Sequence, residues 1–182
     1  MNWGKSGPEN TKDTIAIAIE KSKELNINHI VVASNTGKTV LQLLEQSDQD
    51  IDVVCVTHQV GFRNPGEDEM GQEMRQKLKE LGVDILTTTH LFAGVDRALR
   101  YQNGGLYPAE IVANSLRMFS QGVKVGIEIS VMALDAGLIP HGEDIIAIGG
   151  AAKGADTAIL IRPEHSSEIF KTRVKEIFCK PQ

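Results

Sequence analysis

The stretch His29-Ile-Val-Val-Ala-Ser-Asn-Thr-Gly-Lys-Thr39 joins two local patterns without a break. Residues 29–33 form a short apolar run with no alternation, which is typical of a strand that is covered on both faces. Residues 34–39 are small, polar or glycine, and the helical segment Val40–Gln46 follows directly. A buried strand that leads through a short loop into a helix indicates a parallel α/β sheet.

The rest of the chain repeats this alternation of strands and helices. Helices are predicted over Thr11–Leu25, Glu67–Leu81, Leu91–Arg100, Pro108–Gln121, Glu128–Leu138 and Ser166–Phe178. Four more strands are predicted over Ile51–Val56, Val83–Thr87, Asp144–Ile148 and Ala158–Ile161. The turn before the fifth strand is too short for a helical crossover, so this strand should be antiparallel to the fourth. We therefore predict a mostly parallel five-stranded sheet with helices on both faces.

Composition narrows the class of protein further. The chain has 182 residues, 41% of them hydrophobic and 24% charged, which suits one globular domain over residues 1–182. A net charge of −5 and 4% aromatic residues argue against a nucleic-acid-binding protein. Cys55 and Cys179 lie far apart without a CxxC motif, so we expect no disulfide scaffold and no metal site. No apolar run is long enough to span a membrane and the N-terminus is polar, so a cytoplasmic location is expected.

The loop after the first strand has the residues that a phosphate site needs. Its glycine allows close backbone approach, its hydroxyl groups and lysine bind oxyanions, and the helix start directs free N–H groups at the ligand. An ordinary capped helix is the alternative. A P-loop is not formed, because Val32 stands where GxxxxGK[ST] requires its first glycine. The candidate phosphate-binding residues are Ser34, Asn35, Thr36, Gly37, Lys38 and Thr39.

Two histidines follow the ends of the second and third strands. His58 and His90 lie where open α/β sheets bind ligands, so both are candidates for ligand contact or for proton transfer. They have no carboxylate or cysteine at ligand spacing, which argues against a metal pair. Phe62 and Arg63 follow His58 in a glycine-flanked loop, and a ring beside a guanidinium suits a planar anionic ligand. A surface loop with an anchoring phenylalanine is the alternative.

Other candidates are less specific. Glu128 lies in an apolar segment, where a carboxylate needs a partner or a shifted pKa, and it is a third candidate catalytic residue. Gly149 and Gly150 end the fourth strand, and they serve either a close approach to a ligand or a tight turn. Three arginines add positive potential or form surface ion pairs: Arg97, Arg100 and Arg117.

The order of these features resembles the C-terminal α/β domain of pyruvate kinase. It is more similar still to the stand-alone archaeal and bacterial proteins described as pyruvate kinase C-terminal domain-like. In the pyruvate kinase domain, the loop that resembles residues 34–39 receives a phosphate of an allosteric sugar bisphosphate. The resemblance rests on Glu9–Thr11, Val31–Ser34, Val56–His58, Gly61–Arg63, Leu116–Met118, Ser120–Gly122, Asp135–Pro140, Ala147–Gly150 and Gly154–Ala158.

This resemblance implies a three-layer α/β/α fold and flavin mononucleotide (FMN) as a bound ligand, with no assigned activity. We expect the strand order 3-2-1-4-5, which places the ligand crevice between strands one and four. The catalytic barrel of pyruvate kinase is absent from these 182 residues, so we expect no phosphorylation of ADP.

Three functions remain open. The first is binding of a phosphorylated small molecule, most plausibly FMN, with His58, Phe62 and Arg63 beside the ligand and Gly149–Gly150 behind it. The second is a small enzyme, either flavin-dependent or an acid–base catalyst on a phosphorylated metabolite, with His58 or His90 as proton carrier. The third is a regulatory module with an effector site. A homo-oligomer is also compatible with the sequence, since the apolar helices 108–121 and 128–138 suit a subunit contact.

Overall fold

A mixed sheet forms the centre of the structure, a computed structural model that describes residues 1–48, 50–151 and 153–182. Within these residues the sheet has seven strands in the order β1-β7-β6-β5-β2-β3-β4. β2 pairs in parallel with β3 and β5, β3 pairs in parallel with β4, and β6 is antiparallel to both β5 and β7. The strands are β1 Asn2–Trp3, β2 His29–Ala33, β3 Asp52–Val56, β4 Asp84–Leu86, β5 Ile145–Gly149, β6 Thr157–Arg162 and β7 Arg173–Pro181.

Helices connect most of the strands, and local signals explain their ends. α1 ends at Asn26, which adopts the left-handed conformation with φ of 53°. α5 begins with Pro108, whose missing N–H is not needed in a first helical turn. The hydroxyl of Ser120 accepts a hydrogen bond from the Val123 N–H at the start of α6. The helices are α1 Thr11–Leu25, α2 Lys38–Gln46, α3 Gln72–Glu80, α4 Gly94–Asn103, α5 Pro108–Arg117 and α6 Gln121–Asp135.

The two faces of the sheet are covered by different helices. Ile30 and Val32 of β2 pack into a cluster with apolar residues of α1, α2 and α3. Val31, between them, packs on the other face against apolar residues of α6. Because both faces are buried, β2 is apolar at every one of these positions and shows no alternation. The three-layer α/β/α architecture is therefore confirmed.

The prediction of a five-stranded sheet is wrong. β7 and β1 continue the sheet beyond β6, so the strand number and the order of the whole sheet differ from 3-2-1-4-5. β4, β3, β2, β5 and β6 do adjoin in that succession, and the predicted antiparallel pairing of β5 with β6 is confirmed.

The predicted helix Ser166–Phe178 is also wrong. Residues 166–171 form a short 3-10 helix, and β7 follows it. β7 pairs with β6 over most of its length and with the N-terminal strand at Asn2 and Trp3. These long-range pairings satisfy the backbone of a segment whose apolar spacing alone suggests a helix.

α6 lies unusually close to the sheet because glycines face each other at the contact. A Cβ atom added at Gly149 of β5 would lie 2.6 Å from the carbonyl oxygen of Gly122 and 3.2 Å from the nitrogen of Gly126. A Cβ at Gly122 would overlap the side chain of Thr157. The predicted helix Glu128–Leu138 is part of this one buried helix, which begins earlier, at Gln121. No helix among the described residues has both the length and the apolarity to cross a bilayer.

Candidate functional site

The carboxyl ends of β2, β3 and β4 bring three loops together. The loop after β2 joins the end of β3 through a hydrogen bond from the Ser34 N–H to the Val56 carbonyl, at 3.0 Å. The loop after β3 joins the end of β4 in the same way, from the Thr57 N–H to the Leu86 carbonyl at 2.9 Å. The structure therefore places the candidate phosphate loop and His58 on one edge of the sheet, as parallel strands require.

The loop between β2 and α2 presents a helix start without a side-chain cap. Gly37 is the N-cap residue with φ of 80°, and no side chain of the described residues caps the helix there. A Cβ at Gly37 would lie 2.6 Å from Met74 Cγ, so glycine is required both for this backbone conformation and for contact with α3. Thr36 and Lys38 are exposed, while Thr39 is buried.

Buried Cys55 supports the base of this loop. Its Sγ lies 3.4 Å from the carbonyl oxygen of Ser34, to which it donates a weak hydrogen bond. Burial raises the pKa of the Cys55 thiol to about 12, so the thiol stays protonated and available as a donor. Cys55 is thus a fully buried core side chain, and its thiol is not in the reactive thiolate form.

The side chain of Asn35 holds His58 in one orientation. Asn35 Oδ1 accepts a hydrogen bond from the His58 backbone N–H at 3.0 Å, which places Asn35 Nδ2 3.1 Å from His58 Nε2. Since Nδ2 can only donate, Nε2 must accept, and the ring proton is on Nδ1. His58 Nδ1 then donates to Glu69 Oε1 at 2.6 Å, and Glu69 Oε2 pairs with Arg63 Nε at 3.0 Å. Both nitrogens of His58 are therefore engaged within the protein.

Three rings and one guanidinium form a cluster beside the contacts that hold His58. Phe62 stacks on His58 with ring centroids 3.8 Å apart and an interplanar angle of 29°. The His90 ring lies 5.3 Å from each of these two rings. Arg97 from α4 lies over the Phe62 ring at 5.5 Å. The structure thus brings together both histidines, Phe62 and Arg63, and adds Glu69 and Arg97.

The environment of His90 favours the neutral imidazole. Burial lowers the pKa of His90 below its usual 6.5, and the positive charges of Lys124 and Arg97 and the nearby His58 lower it further. The Glu128 carboxylate acts in the opposite direction but does not overcome burial. An imidazole that stays neutral can accept a proton near neutral pH.

We expect NMR titration to show His90 protonating below pH 6.5. Glu128→Gln should lower this pKa further and Arg97→Gln should raise it, because each removes one of the charges named above. The unfolded chain takes up the proton first as the pH falls through 6.5, so the wild type should lose stability there and His90→Gln should lose less. His141→Gln, which removes an exposed imidazole, should leave the His90 titration unchanged. A His90 that titrates at or above 6.5 would contradict this account.

Glu128 forms a buried ion pair with a residue that the sequence analysis missed. Lys124 Nζ lies 2.5 Å from Glu128 Oε2, and the two side chains are only 8% and 6% exposed. Glu128 Oε1 accepts a hydrogen bond from the Phe92 N–H at 3.0 Å. Burial lowers the pKa of Lys124, although the Glu128 carboxylate opposes this effect. The i,i+4 spacing of a lysine and a glutamate is the sequence signal that could have identified this ion pair. No comparable spacing identifies Glu69 as a site residue.

Gly149 and Gly150 have close protein neighbours. Gly149 contacts α6 as described above, and a Cβ at Gly150 would lie 2.6 Å from the Gly154 carbonyl oxygen. The Gly149 carbonyl also accepts a hydrogen bond from the Asp156 N–H at 3.1 Å. Ala152, within the same predicted loop, lies outside the described residues. These contacts explain both glycines by packing, and their place behind a ligand stays a prediction.

Comparison with known proteins adds a family description. The family described as "Pyruvate kinase, alpha/beta domain" has a model that matches residues 12–161. A Cryptosporidium parvum pyruvate kinase structure is 16% identical with a TM-score of 0.45, and the match covers 84% of this chain and 22% of that one. A second structure of pyruvate kinase from this organism, described as a complex with ADP, is 16% identical with a TM-score of 0.41, covering 82% and 22%. The chain therefore spans less than a quarter of the length of these proteins.

Proposed function

This chain belongs to the pyruvate kinase alpha/beta domain family, and from that premise we propose that it binds a phosphorylated small molecule beside β2 and β3. The observation that carries the proposal is the start of α2 at Gly37, which no side chain of the described residues caps. The N–H groups of a first helical turn lack helical partners, and they carry the positive end of the helix dipole. A phosphate is the ligand that such a position favours.

The side chains around this helix start suit an oxyanion. Thr36 and Lys38 are exposed there, so a hydroxyl donor and an ammonium group are both accessible to a ligand. Asn35 connects the loop to the His58–Phe62 stack, and this contact supports a ligand whose phosphate lies beside an aromatic surface. The molecule that fits this combination has a phosphate joined to a planar ring system.

We therefore propose FMN as the ligand, in line with the family resemblance. Its phosphate would lie against residues 36–39, and its ring system would lie against the rings of Phe62, His58 and His90. Arg97, over the Phe62 ring, adds positive charge beside an electron-rich ring system. When bound, a flavin would supply redox chemistry, whereas the protein's own residues would bind and orient it.

We expect Lys38→Glu to weaken FMN binding at least about tenfold, because it replaces an attractive charge with a repulsive one at the phosphate. Binding is measured by quenching of flavin fluorescence, and inorganic phosphate is tested separately by calorimetry. Phe62→Ala should weaken FMN binding but leave phosphate binding at residues 36–39 unchanged, since the Phe62 ring would contact the flavin and not its phosphate. Lys79→Glu, an exposed lysine near the end of α3, is the matched control.

Gly37→Asp is less informative, because its Cβ would displace Met74 and disturb the packing of α3. Equal FMN affinity of the wild type and Lys38→Glu would refute the phosphate position. Equal affinity of the wild type and Phe62→Ala would refute the ring position. Circular dichroism of each variant confirms that the comparison is between folded proteins.

A second function, acid–base catalysis on a phosphorylated metabolite, is favoured by one observation. His58 uses both ring nitrogens within the protein, while burial keeps His90 neutral beside it. His90 is therefore the proton carrier that we propose for such an enzyme. A screen of phosphorylated metabolites with the wild type and His90→Gln tests this: turnover that His90→Gln loses supports catalysis, and no turnover with either supports binding alone.

A further inference from the structure

A cavity beside α4 and α5 is lined by more positively than negatively charged side chains. It encloses about 100 Å³, and three guanidinium groups line it, those of Arg97, Arg100 and Arg117. Glu110 is the one carboxylate among the residues that line it within the described part of the chain. The lining therefore has an excess of two positive charges. An excess of this kind in a small concave space favours an anion.

Two of the three arginines have no carboxylate partner among the described residues. Arg100 Nε pairs with Glu110 Oε1 at 3.1 Å. Arg117 donates to the neutral amide oxygens of Gln121 and Asn114, at 2.8 and 2.7 Å. Arg97 makes its contact with the Phe62 ring. Arg97 and Arg117 thus retain N–H groups and charge that an oxyanion would use.

Glu110 sets a second requirement for a ligand that binds in this cavity. The residue is only 9% exposed, and its Oε2 atom is buried without a hydrogen-bond partner among the described residues. An acceptor left in this state costs free energy that a donor would recover. A ligand that satisfies the whole cavity must therefore carry negative charge for the arginines and a hydrogen-bond donor for Glu110.

We propose that this cavity is a binding site for hydrogen phosphate. Its charged oxygens would accept hydrogen bonds from Arg97 and Arg117, and its P–OH group would donate to Glu110 Oε2. Sulfate has the same shape and charge but no proton at neutral pH, so it would face Glu110 with an acceptor. The site should therefore select phosphate over sulfate. This site shares Arg97 with the ring end of the proposed FMN site, but it does not use the start of α2.

The test measures phosphate and sulfate binding by calorimetry in the Lys38→Glu background, which weakens the α2 site. We expect phosphate to bind at least about tenfold more tightly than sulfate. Arg117→Gln should weaken phosphate binding by a similar factor, and because Arg117 is exposed the variant should fold. Arg173→Gln, an exposed arginine of β7, is the matched control and should bind phosphate as the parent does.

Glu110→Gln tests whether the site recognises the P–OH proton of hydrogen phosphate. The glutamine amide can donate where the glutamate oxygen accepts, so the ratio of phosphate to sulfate affinity should fall several-fold, even if both affinities rise because Arg100 is released. A purely structural role of Glu110 would not move this ratio. Equal binding of phosphate and sulfate by the parent, an Arg117→Gln variant that binds phosphate normally, or an unchanged ratio in Glu110→Gln would each overturn the proposal. The FMN site is tested separately, through Lys38 at the start of α2 and through Phe62.

Discussion

Glu128→Gln is expected to lower the free energy of unfolding by about 3 kcal/mol, because it leaves the Lys124 ammonium buried without its counter-charge. Glutamine keeps an oxygen for the hydrogen bond from the Phe92 N–H, so the change isolates the loss of charge. Urea denaturation at neutral pH measures the difference. Adding Lys124→Met to the variant should recover part of the lost stability, since no unpaired charge then remains.

The matched control is the exposed pair of Lys5 and Glu9, which has the same i,i+4 spacing. Glu9→Gln should change stability by no more than about 0.5 kcal/mol, because water already screens these charges. A loss in Glu128→Gln as small as that in Glu9→Gln would show that the buried pair contributes no more than a surface pair.

Gly149→Ala is expected to lower the free energy of unfolding by about 2–3 kcal/mol. The added methyl group would lie 2.6 Å from the Gly122 carbonyl oxygen and close to the Gly126 nitrogen. These neighbours are backbone atoms of α6, so relief requires a shift of the whole helix rather than a change of rotamer. Denaturation with urea measures the loss.

Gly4→Ala provides the comparison, because a Cβ at Gly4 meets no atom within 4 Å, and its stability should stay within about 0.5 kcal/mol of the wild type. A Gly149→Ala variant with unchanged stability but weakened FMN binding would reverse our interpretation. Gly149 would then act at the ligand, as the sequence first suggested, and not at the contact with α6.

The sequence predicted those parts of the fold that local pattern determines. The run His29–Ala33 was recognised as a covered strand because burial on both faces removes alternation, and α1 was predicted with the bounds Thr11–Leu25. The segment after Ser166 is predicted as a helix, and this prediction is wrong for a physical reason. Its apolar residues recur at helical spacing, and only pairing with the distant strands β6 and β1 makes them a strand.

For the candidate site, the sequence predicted where the residues lie but not which contacts they make. The topology of parallel strands allowed the loop at Ser34 and the residues His58 and His90 to be assigned to one edge. The partners that define their chemistry were not predicted. Glu69 lies within the predicted helix Glu67–Leu81, but α3 begins only at Gln72, and Glu69 reaches His58 from the loop before it. The tautomer and the proton affinity of a histidine depend on such contacts. The sequence therefore identified the two histidines but did not assign their roles.

The two edges of the sheet affect whether this protein can pair with other copies of itself. The outermost strands are short, with three residues in β4 and two in β1. They offer few free N–H and C=O groups as a template for a strand from another molecule, and the charged residues Arg173 and Lys175 lie within the part of β7 that β1 leaves unpaired. Intermolecular strand addition, and with it fibril formation, should therefore be disfavoured at either side.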